Sequence, residues 1–163
     1  MPILRLAGKA PRRRRPVNSA LGGRLRSLHL RFRHGVSAWF VILAIAIANG
    51  ALREAVLIPH IGSVPGTALS GLLLSVASVL VACLLLRRWP AASVRSAAWL
   101  GISWLLATLA FEFAFGLARG RSLTELLAAY VFKGGNLWPV VLACLALAPY
   151  VYTRFSRAGP ATT

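Results

Sequence analysis

Acidic residues are nearly absent from this sequence. Three glutamates, Glu54, Glu112 and Glu125, and no aspartate stand against nineteen lysines and arginines in 163 residues. Charged residues of both signs make up only 13% of the chain, whereas 58% of it is hydrophobic and the mean hydropathy is +0.70. Because a soluble domain needs more polar surface than this, the composition argues against one. The net charge of +16 is typical of a protein that binds nucleic acid or anionic lipid, or of a membrane protein whose basic residues set its topology.

Cysteine and histidine are also scarce, with two and three copies. In the apolar runs that hold them, Cys83 and Cys144 lie at depths that differ by about 14 Å if each residue rises roughly 1.5 Å. This gap exceeds the limit of about 7 Å between the Cα atoms of a disulfide, so we predict two free thiols. The histidines are too far apart to form a group with metal-ligand spacing. We expect neither a metal nor a cofactor.

Long apolar runs dominate the rest of the chain, at about residues 37–58, 67–86, 97–117 and 137–155. About 20 helical residues cross a hydrocarbon core of roughly 30 Å. We expect Pro59 to end the first run, and Pro149 to break a hydrogen bond or end the helix in the fourth. The sequence therefore predicts an all-α integral membrane four-helix bundle over residues 36–155. A basic, partly disordered arm (1–35) precedes it and a tail (156–163) follows.

Lysine and arginine are unevenly distributed around these runs. With the N-terminus inside, the outer loops hold only Arg119, Arg121 and Lys133, whereas fifteen basic residues lie on the cytoplasmic side. The positive-inside rule therefore predicts that both termini are cytoplasmic.

The basic arm has no fold or stacking platform for nucleic acid. We expect it to attract anionic lipid headgroups, at about 1 kcal/mol per basic residue near the surface. A cleavable signal peptide is an alternative for the arm and the first run. It fits poorly, because the basic region is too long and the apolar run continues past Asn49.

One carboxylate interrupts the third apolar run. An ionisable residue inside a membrane span normally faces the bundle and finds a partner there. Glu112 is such a residue, and Arg53 and Glu54 occupy the corresponding depth of the first span. Asn49 shares a helical face with Arg53, and Thr108 shares one with Glu112. We predict an intramembrane cluster of these five residues in the outer leaflet, with Arg53 paired to Glu112 and with hydrogen bonds from Asn49 and Thr108.

The loop of residues 118–136 lies above this cluster. Ser122 and Glu125 have capping-box spacing, so the segment that follows predicts a short interfacial helix between the third and fourth helices. It either covers a polar pocket or is an ordinary connector. We expect Glu54 to reach His60 or Lys133. The outer-loop residues that could contribute to the cluster are His60, Arg119, Lys133 and Asn136.

Small residues recur at helical spacing along the second run, and they allow another helix to approach closely. The stripe consists of Gly71, Ser75, Ser78 and Ala82. A contact inside the bundle is the favoured interpretation. A homodimer or another membrane-protein partner is the alternative.

Three stretches within residues 38–152 carry a resemblance: NGALREAVLIPHIG, LATLAFEFAFG and KGGNLWPVVLACLALAPY. The Asn-x-x-x-Arg-Glu run at the end of the first helix and the Phe-Glu-Phe of the third are similar to those of small uncharacterised bacterial membrane proteins. The resemblance implies the same fold and a bacterial cytoplasmic (inner) membrane. It implies no activity.

Three classes of function follow from these observations. The favoured one is a structural or accessory membrane protein whose charged cluster fixes the helix register. The second is a transporter or a binder of a small molecule or ion, with Glu112 as the coupling carboxylate. The third is an intramembrane enzyme with Glu54 or Glu112 as general base, which ranks last because no set of nucleophile, base and orienting group is recognisable.

Overall fold

The computed structural model describes the backbone of residues 17–158 and the side chains of residues 32–158. Within that range all regular elements are helical. In chain order they are α1 (Val17–Leu52), a π-helical turn (Arg53–Leu57), α2 (Ile58–Ile61), α3 (Ser63–Arg88), α4 (Val94–Ala118), α5 (Leu123–Ala128) and α6 (Trp138–Arg157).

Four helical stretches are long and apolar enough to cross a membrane: Phe32–Ile61, Ser63–Arg88, Val94–Ala118 and Trp138–Arg157. Large apolar side chains such as Phe40, Leu84 and Leu106 point away from the bundle and are more than half exposed. Such a surface suits lipid better than water. The predicted all-α bundle of four membrane-spanning-type helices is confirmed, and α5 is the predicted short helix between the third and fourth of them.

The first span differs from its prediction at both ends. Because α1 begins at Val17, part of the predicted arm continues the helix of the span. The predicted disorder at the start of the arm lies outside the described residues, as do most side chains expected to attract lipid headgroups. At the other end, Pro59 does not stop the helix, which runs on to Ile61 through the π turn. The turn widens where Pro59 removes a backbone donor, and Ile58 N–H donates to the Arg53 carbonyl.

Helix α6 packs closely on both α3 and α4, and α1 packs on α3 and, less extensively, on α4. We call the two ends of this bundle the α5 end, where α2 and α5 lie, and the α3–α4 end, where the loop between α3 and α4 lies. At the α3–α4 end an Arg157 nitrogen donates to the carbonyls of Ala91 and Ala92 at 2.9 and 2.8 Å.

Helices α1 and α4 meet near the α3–α4 end. The Trp104 indole N–H donates to the Gly35 carbonyl at 2.9 Å. The core at this level consists of Ala38, Ile42, Ala82, Leu85, Trp104, Leu145 and Ala148. Trp104 is only 2% exposed, as its position deep in the third span indicated.

The small-residue stripe of α3 lies inside the bundle. Ser75, Ser78 and Ala82 are buried. At Gly71 the helix comes so near to the start of α6 that an added Cβ would lie 2.8 Å from that of Leu137. The Ser75 and Ser78 hydroxyls donate to carbonyls one turn earlier in their own helix. The structure thus uses this stripe for internal packing.

Candidate functional site

The Glu112 carboxylate lies six residues before the end of α4, roughly 9 Å from it along the helix axis. Its Oε2 atom accepts two hydrogen bonds, from the Tyr130 hydroxyl at 2.7 Å and from the Trp138 indole N–H at 2.9 Å. Tyr130 follows α5 and Trp138 begins α6. The predicted pairing of Glu112 with Arg53 is therefore wrong, because two neutral donors from the α4–α6 connection reach the carboxylate instead.

Arg53 pairs with its chain neighbour. Its guanidinium and the Glu54 carboxylate form an ion pair with an N–O distance of 3.0 Å. Both residues belong to the π turn, where the side chains are 38% and 64% exposed. The prediction that Glu54 reaches His60 or Lys133 is also wrong. The His60 ring Nδ1 lies 2.7 Å from the carbonyl oxygen of Val56, one helical turn earlier, and donates to it.

The uncharged members of the predicted cluster are also bonded to other partners. The Asn49 amide donates to the hydroxyl of Ser70 at 2.8 Å and to its carbonyl at 3.1 Å, which ties α1 to α3. The Thr108 hydroxyl accepts a hydrogen bond of 3.1 Å from the Trp39 indole, which ties α4 to α1. Each of these groups is satisfied across a helix pair, as groups in an apolar medium require.

Helix α5 begins with the predicted capping box. The Ser122 hydroxyl accepts from the Glu125 backbone N–H at 3.3 Å, and the Glu125 carboxylate accepts from the Ser122 backbone N–H at 2.8 Å. The Ser122 backbone N–H and hydroxyl both donate to the Glu125 carboxylate, and these two bonds lower the pKa of Glu125 because they stabilise its ionised form.

The connection from α5 to α6 is held by one amide. The Asn136 Nδ2 donates to the carbonyls of Ala129 and Val131, and its Oδ1 accepts from the Trp138 backbone N–H. This fixes Tyr130 and Trp138 on either side of Glu112. Burial, and then the neighbouring Glu112 carboxylate, raise the pKa of Tyr130 well above the range usual for a phenol.

A cavity of about 440 Å³ lies among α1, α3, α4 and α6. Of the predicted site and stripe residues, it is lined by Asn49, Arg53, Gly71, Ser78, Thr108, Glu112, Arg119 and Asn136, whereas Glu54, His60, Ser75, Ala82 and Lys133 lie outside the lining. Most of the predicted polar residues thus share one cavity, although they do not bond to one another.

The cavity runs from the α5 end to the middle of the bundle. Arg53, Arg119 and Arg121 line it at the α5 end, and Ile42 and Leu145 line its deep part. From Arg53 to Ile42 it follows about three turns of α1, roughly 16 Å. Below this level the core around Ala38 and Trp104 fills the space between the helices.

Three site residues escaped the prediction from sequence. Ser70 is the partner of Asn49, and Tyr130 and Trp138 are the partners of Glu112. Trp138 lies at the start of the fourth span, where aromatic residues often lie at the membrane interface rather than in a polar site. A tyrosine and a tryptophan that lie at the same membrane depth as a carboxylate indicate that both donate hydrogen bonds to it, because the phenol O–H and the indole N–H each need an acceptor.

The described part of the chain holds no group of three or more His, Cys, Asp or Glu side chains that could bind a metal ion. Cys83 and Cys144 are free thiols, as predicted. Both line a second, apolar groove on the outer side of α3 and α6.

No protein-family model, no curated protein and no solved structure matches this chain. The resemblance to small bacterial membrane proteins therefore rests on the sequence motifs of this chain alone.

Proposed function

We propose that this chain is a multi-pass protein of a bacterial cytoplasmic membrane that binds a small molecule in the cavity beside Glu112. One observation carries the proposal: hydrogen-bonding groups from three helices, at Asn49, Ser70, Thr108 and Glu112, line a single cavity of about 440 Å³. Small-molecule sites have volumes of about 300 to 1,000 Å³, are largely apolar and contain a few polar groups. They occur between the helices of bundles.

Closure of the bundle below the cavity favours binding over transport. The hydrogen bond from Trp39 to Thr108 and the buried ring of Trp104 join α1 and α4 at that level. A transporter needs a second conformation in which the site opens to the other side. The described contacts form one closed end and one open end, so in this conformation they provide a site with a single mouth and no passage through the bundle.

The binding proposal can be tested with two matched substitutions on α1. Ala46 lines the cavity, whereas Ala44, two residues earlier, is exposed on the outside of the helix. We expect Ala46→Phe to fill part of the cavity and Ala44→Phe to leave it open. The full-length protein and both variants would be purified from the host membrane, and their bound small molecules extracted and identified by mass spectrometry.

A compound that is enriched on the wild type and on Ala44→Phe, and absent from a folded Ala46→Phe, supports the proposal. Identical extracts from all three proteins would overturn it.

A structural role for the same residues is the second candidate. It is favoured by the two hydrogen bonds that Glu112 accepts from Tyr130 and Trp138, because they join α4 to the start of α6. If register alone is the role, Glu112→Gln lowers stability and leaves the set of bound compounds unchanged. If Glu112 also contacts a ligand, the same variant changes that set.

A further inference from the structure

The cavity has an opening on the side of the bundle, between α1 and α4. Ile47 on α1 and Phe115 on α4 both line the cavity, yet 62% and 51% of their surfaces remain exposed. Gly50 lies one turn beyond Ile47, and a Cβ added there would meet no atom within 4 Å. Among the described side chains, the hydrogen bonds that join α1 to α4 lie lower down, from Trp39 to Thr108 and from Trp104 to Gly35, so the two helices are not bonded at the level of the opening.

Apolar side chains form the deep part of the cavity. Beneath the side opening the apolar lining residues are Ile42, Leu43, Leu74, Phe111, Leu142 and Leu145. The two hydroxyls at this depth are already bonded, that of Ser78 to the Leu74 carbonyl and that of Thr108 to the Trp39 indole. The cavity as a whole is long and narrow, because it follows α1 for about three turns within a total of about 440 Å³. An alkyl chain suits such a space, since each buried CH₂ contributes about 0.8 kcal/mol.

Positive charge collects at the α5 end of the same cavity. Arg53, Arg119 and Arg121 line it there. Among the residues whose side chains are described, Arg119 and Arg121 form no ion pair within 4.0 Å. The Arg119 guanidinium lies over the Phe115 ring, 5.5 Å from its centre, and Arg121 acts on Glu125 through its charge alone.

Each of the three glutamate carboxylates already has a partner within the protein. Glu54 pairs with Arg53, Glu112 accepts from Tyr130 and Trp138, and Glu125 caps α5 through Ser122. Among the described residues, Arg119 and Arg121 are thus cavity-lining cations that pair with none of these glutamates within 4.0 Å. Because guanidinium groups bind carboxylate and phosphate through paired N–H donors, this end of the cavity suits an anion.

We propose that the cavity holds an amphiphile with one acyl chain and an anionic head group. The head group binds Arg119 and Arg121, and the chain enters between Ile47 and Phe115 and lies against the deep apolar lining. This inference rests on the proposed function and specifies the class of the ligand. A cationic head group at Glu112 is the opposite arrangement, and the arginines that line this end of the cavity would repel it.

The test uses the full-length protein in nanodiscs of phosphatidylcholine. The probes are photoreactive palmitic acid, the matching uncharged photoreactive hexadecanol and the matching photoreactive hexadecylamine, each with the reactive group near the chain end. Labelled positions are mapped by mass spectrometry over a range of probe concentrations. Palmitate and lysophosphatidylglycerol serve as unlabelled competitors, which distinguishes a carboxylate from a phosphate head group.

Two variants separate the head-group site from the chain site. Arg119→Gln combined with Arg121→Gln removes the charges, and Gly50→Leu places a side chain in the open space. Ala51→Leu is the control for Gly50→Leu, because Ala51 is exposed and outside the cavity lining. Leucine also favours a helix more than glycine does, so Gly50→Leu should fold.

We expect the acid to label the deep lining at concentrations about tenfold lower than the alcohol, since charge-assisted hydrogen bonds add that much affinity. The double arginine variant should lose this advantage without affecting the alcohol. Gly50→Leu should lose both labels, and Ala51→Leu neither.

Equal labelling by the acid and the alcohol, or stronger labelling by the amine, would overturn the proposal that the head group is anionic. The proposal that the cavity binds a small molecule would still stand. Failure of all three probes to label the lining, together with identical extracts from wild type and Ala46→Phe, would overturn the proposed function as well.

Discussion

The Tyr130 hydroxyl and the Glu112 carboxylate lie 2.7 Å apart, although eighteen residues separate them in the sequence. This hydrogen bond joins the third membrane-spanning-type helix to the segment that follows α5. It also places a phenol next to a carboxylate that lines the cavity. The connection between α4 and α6 is thus part of the site.

The contribution of this bond can be measured by a double-mutant cycle. We expect Tyr130→Phe to lower the free energy of unfolding by about 1 to 3 kcal/mol, as a hydrogen bond to a charged acceptor would predict. In a Glu112→Leu background the same change should cost little, because the acceptor is gone. Equilibrium unfolding in mixed micelles provides the values.

Tyr150→Phe is the control for this cycle, since Tyr150 is exposed on α6. Additive effects of Tyr130→Phe and Glu112→Leu would contradict the structural bond.

The elevated pKa of Tyr130 leads to a prediction about pH. Burial, followed by the nearby Glu112 carboxylate, favours the neutral phenol in the folded protein. Tyr130 should therefore ionise only above the pH range usual for a phenol when the alkaline titration is followed by ultraviolet difference absorption. The variant Tyr130→Phe should lack this step, whereas Tyr152→Phe should retain it.

The same shift makes stability depend on pH in a defined direction. In the unfolded chain Tyr130 ionises near pH 10, and in the folded chain only above it. The stabilisation is thus fully present below about pH 10 and is lost as the pH rises further, because only the unfolded state then releases the proton. Tyr130→Phe should show a weaker loss of stability above pH 10 than the wild type.

The helices were predictable because their signal is continuous. Each span is a run of about 20 apolar residues, so the sequence reveals the helix without knowledge of its neighbours. The cap of α5 was predictable for a similar reason, since Ser122 and Glu125 lie three residues apart. The π turn that begins at Arg53 could not be predicted. Pro59, shortly after it, normally indicates the end of a helix, and the additional residue in a π-helical turn has no sequence pattern of its own.

The site was predictable in position and not in pairing. Helical spacing correctly placed Asn49, Thr108 and Glu112 beside one space, as the cavity lining shows. Helical spacing gave no information on the rotation of α1 relative to α4. The pair of Arg53 with Glu112 was predicted only because an oppositely charged side chain is the usual partner expected for a carboxylate inside a membrane span. The actual donors are the neutral side chains of Tyr130 and Trp138, which the fold of the α4–α6 connection places near Glu112.

The close approach of α4 and α6 predicts opposite effects of one substitution at two glycines. A Cβ added at Gly101 would clash with the backbone of Ala146, lying 2.8 Å from its carbonyl carbon, whereas one added at Gly50 meets no atom within 4 Å. We expect Gly101→Ala to destabilise the protein by about 1 to 3 kcal/mol. Gly50→Ala should stabilise it by about 1 kcal/mol, because alanine favours a helix.

Thermal unfolding in detergent compares the two variants. Equal shifts in Tm for Gly101→Ala and Gly50→Ala would show that α4 and α6 are not in backbone contact.

Charge at the two ends of the bundle predicts its orientation. Among the described residues, Arg33, Arg87, Arg88, Arg95, Arg154 and Arg157 lie toward the α3–α4 end. Arg53, Arg119, Arg121 and Lys133 lie toward the α5 end, where Arg53 is already paired with Glu54. The excess of free positive charge at the α3–α4 end should keep that end in the cytoplasm.

Thiol labelling in intact cells tests this orientation. The native thiols are first removed as Cys83→Ala and Cys144→Ala, and one new cysteine is then introduced as Ala92→Cys or Thr124→Cys, both at exposed positions. If the α5 end faces outward, a membrane-impermeant maleimide should label Thr124→Cys directly and Ala92→Cys only after the cells are permeabilised. The reverse pattern would place the cavity mouth, and the arginines that line it, on the cytoplasmic side of the membrane.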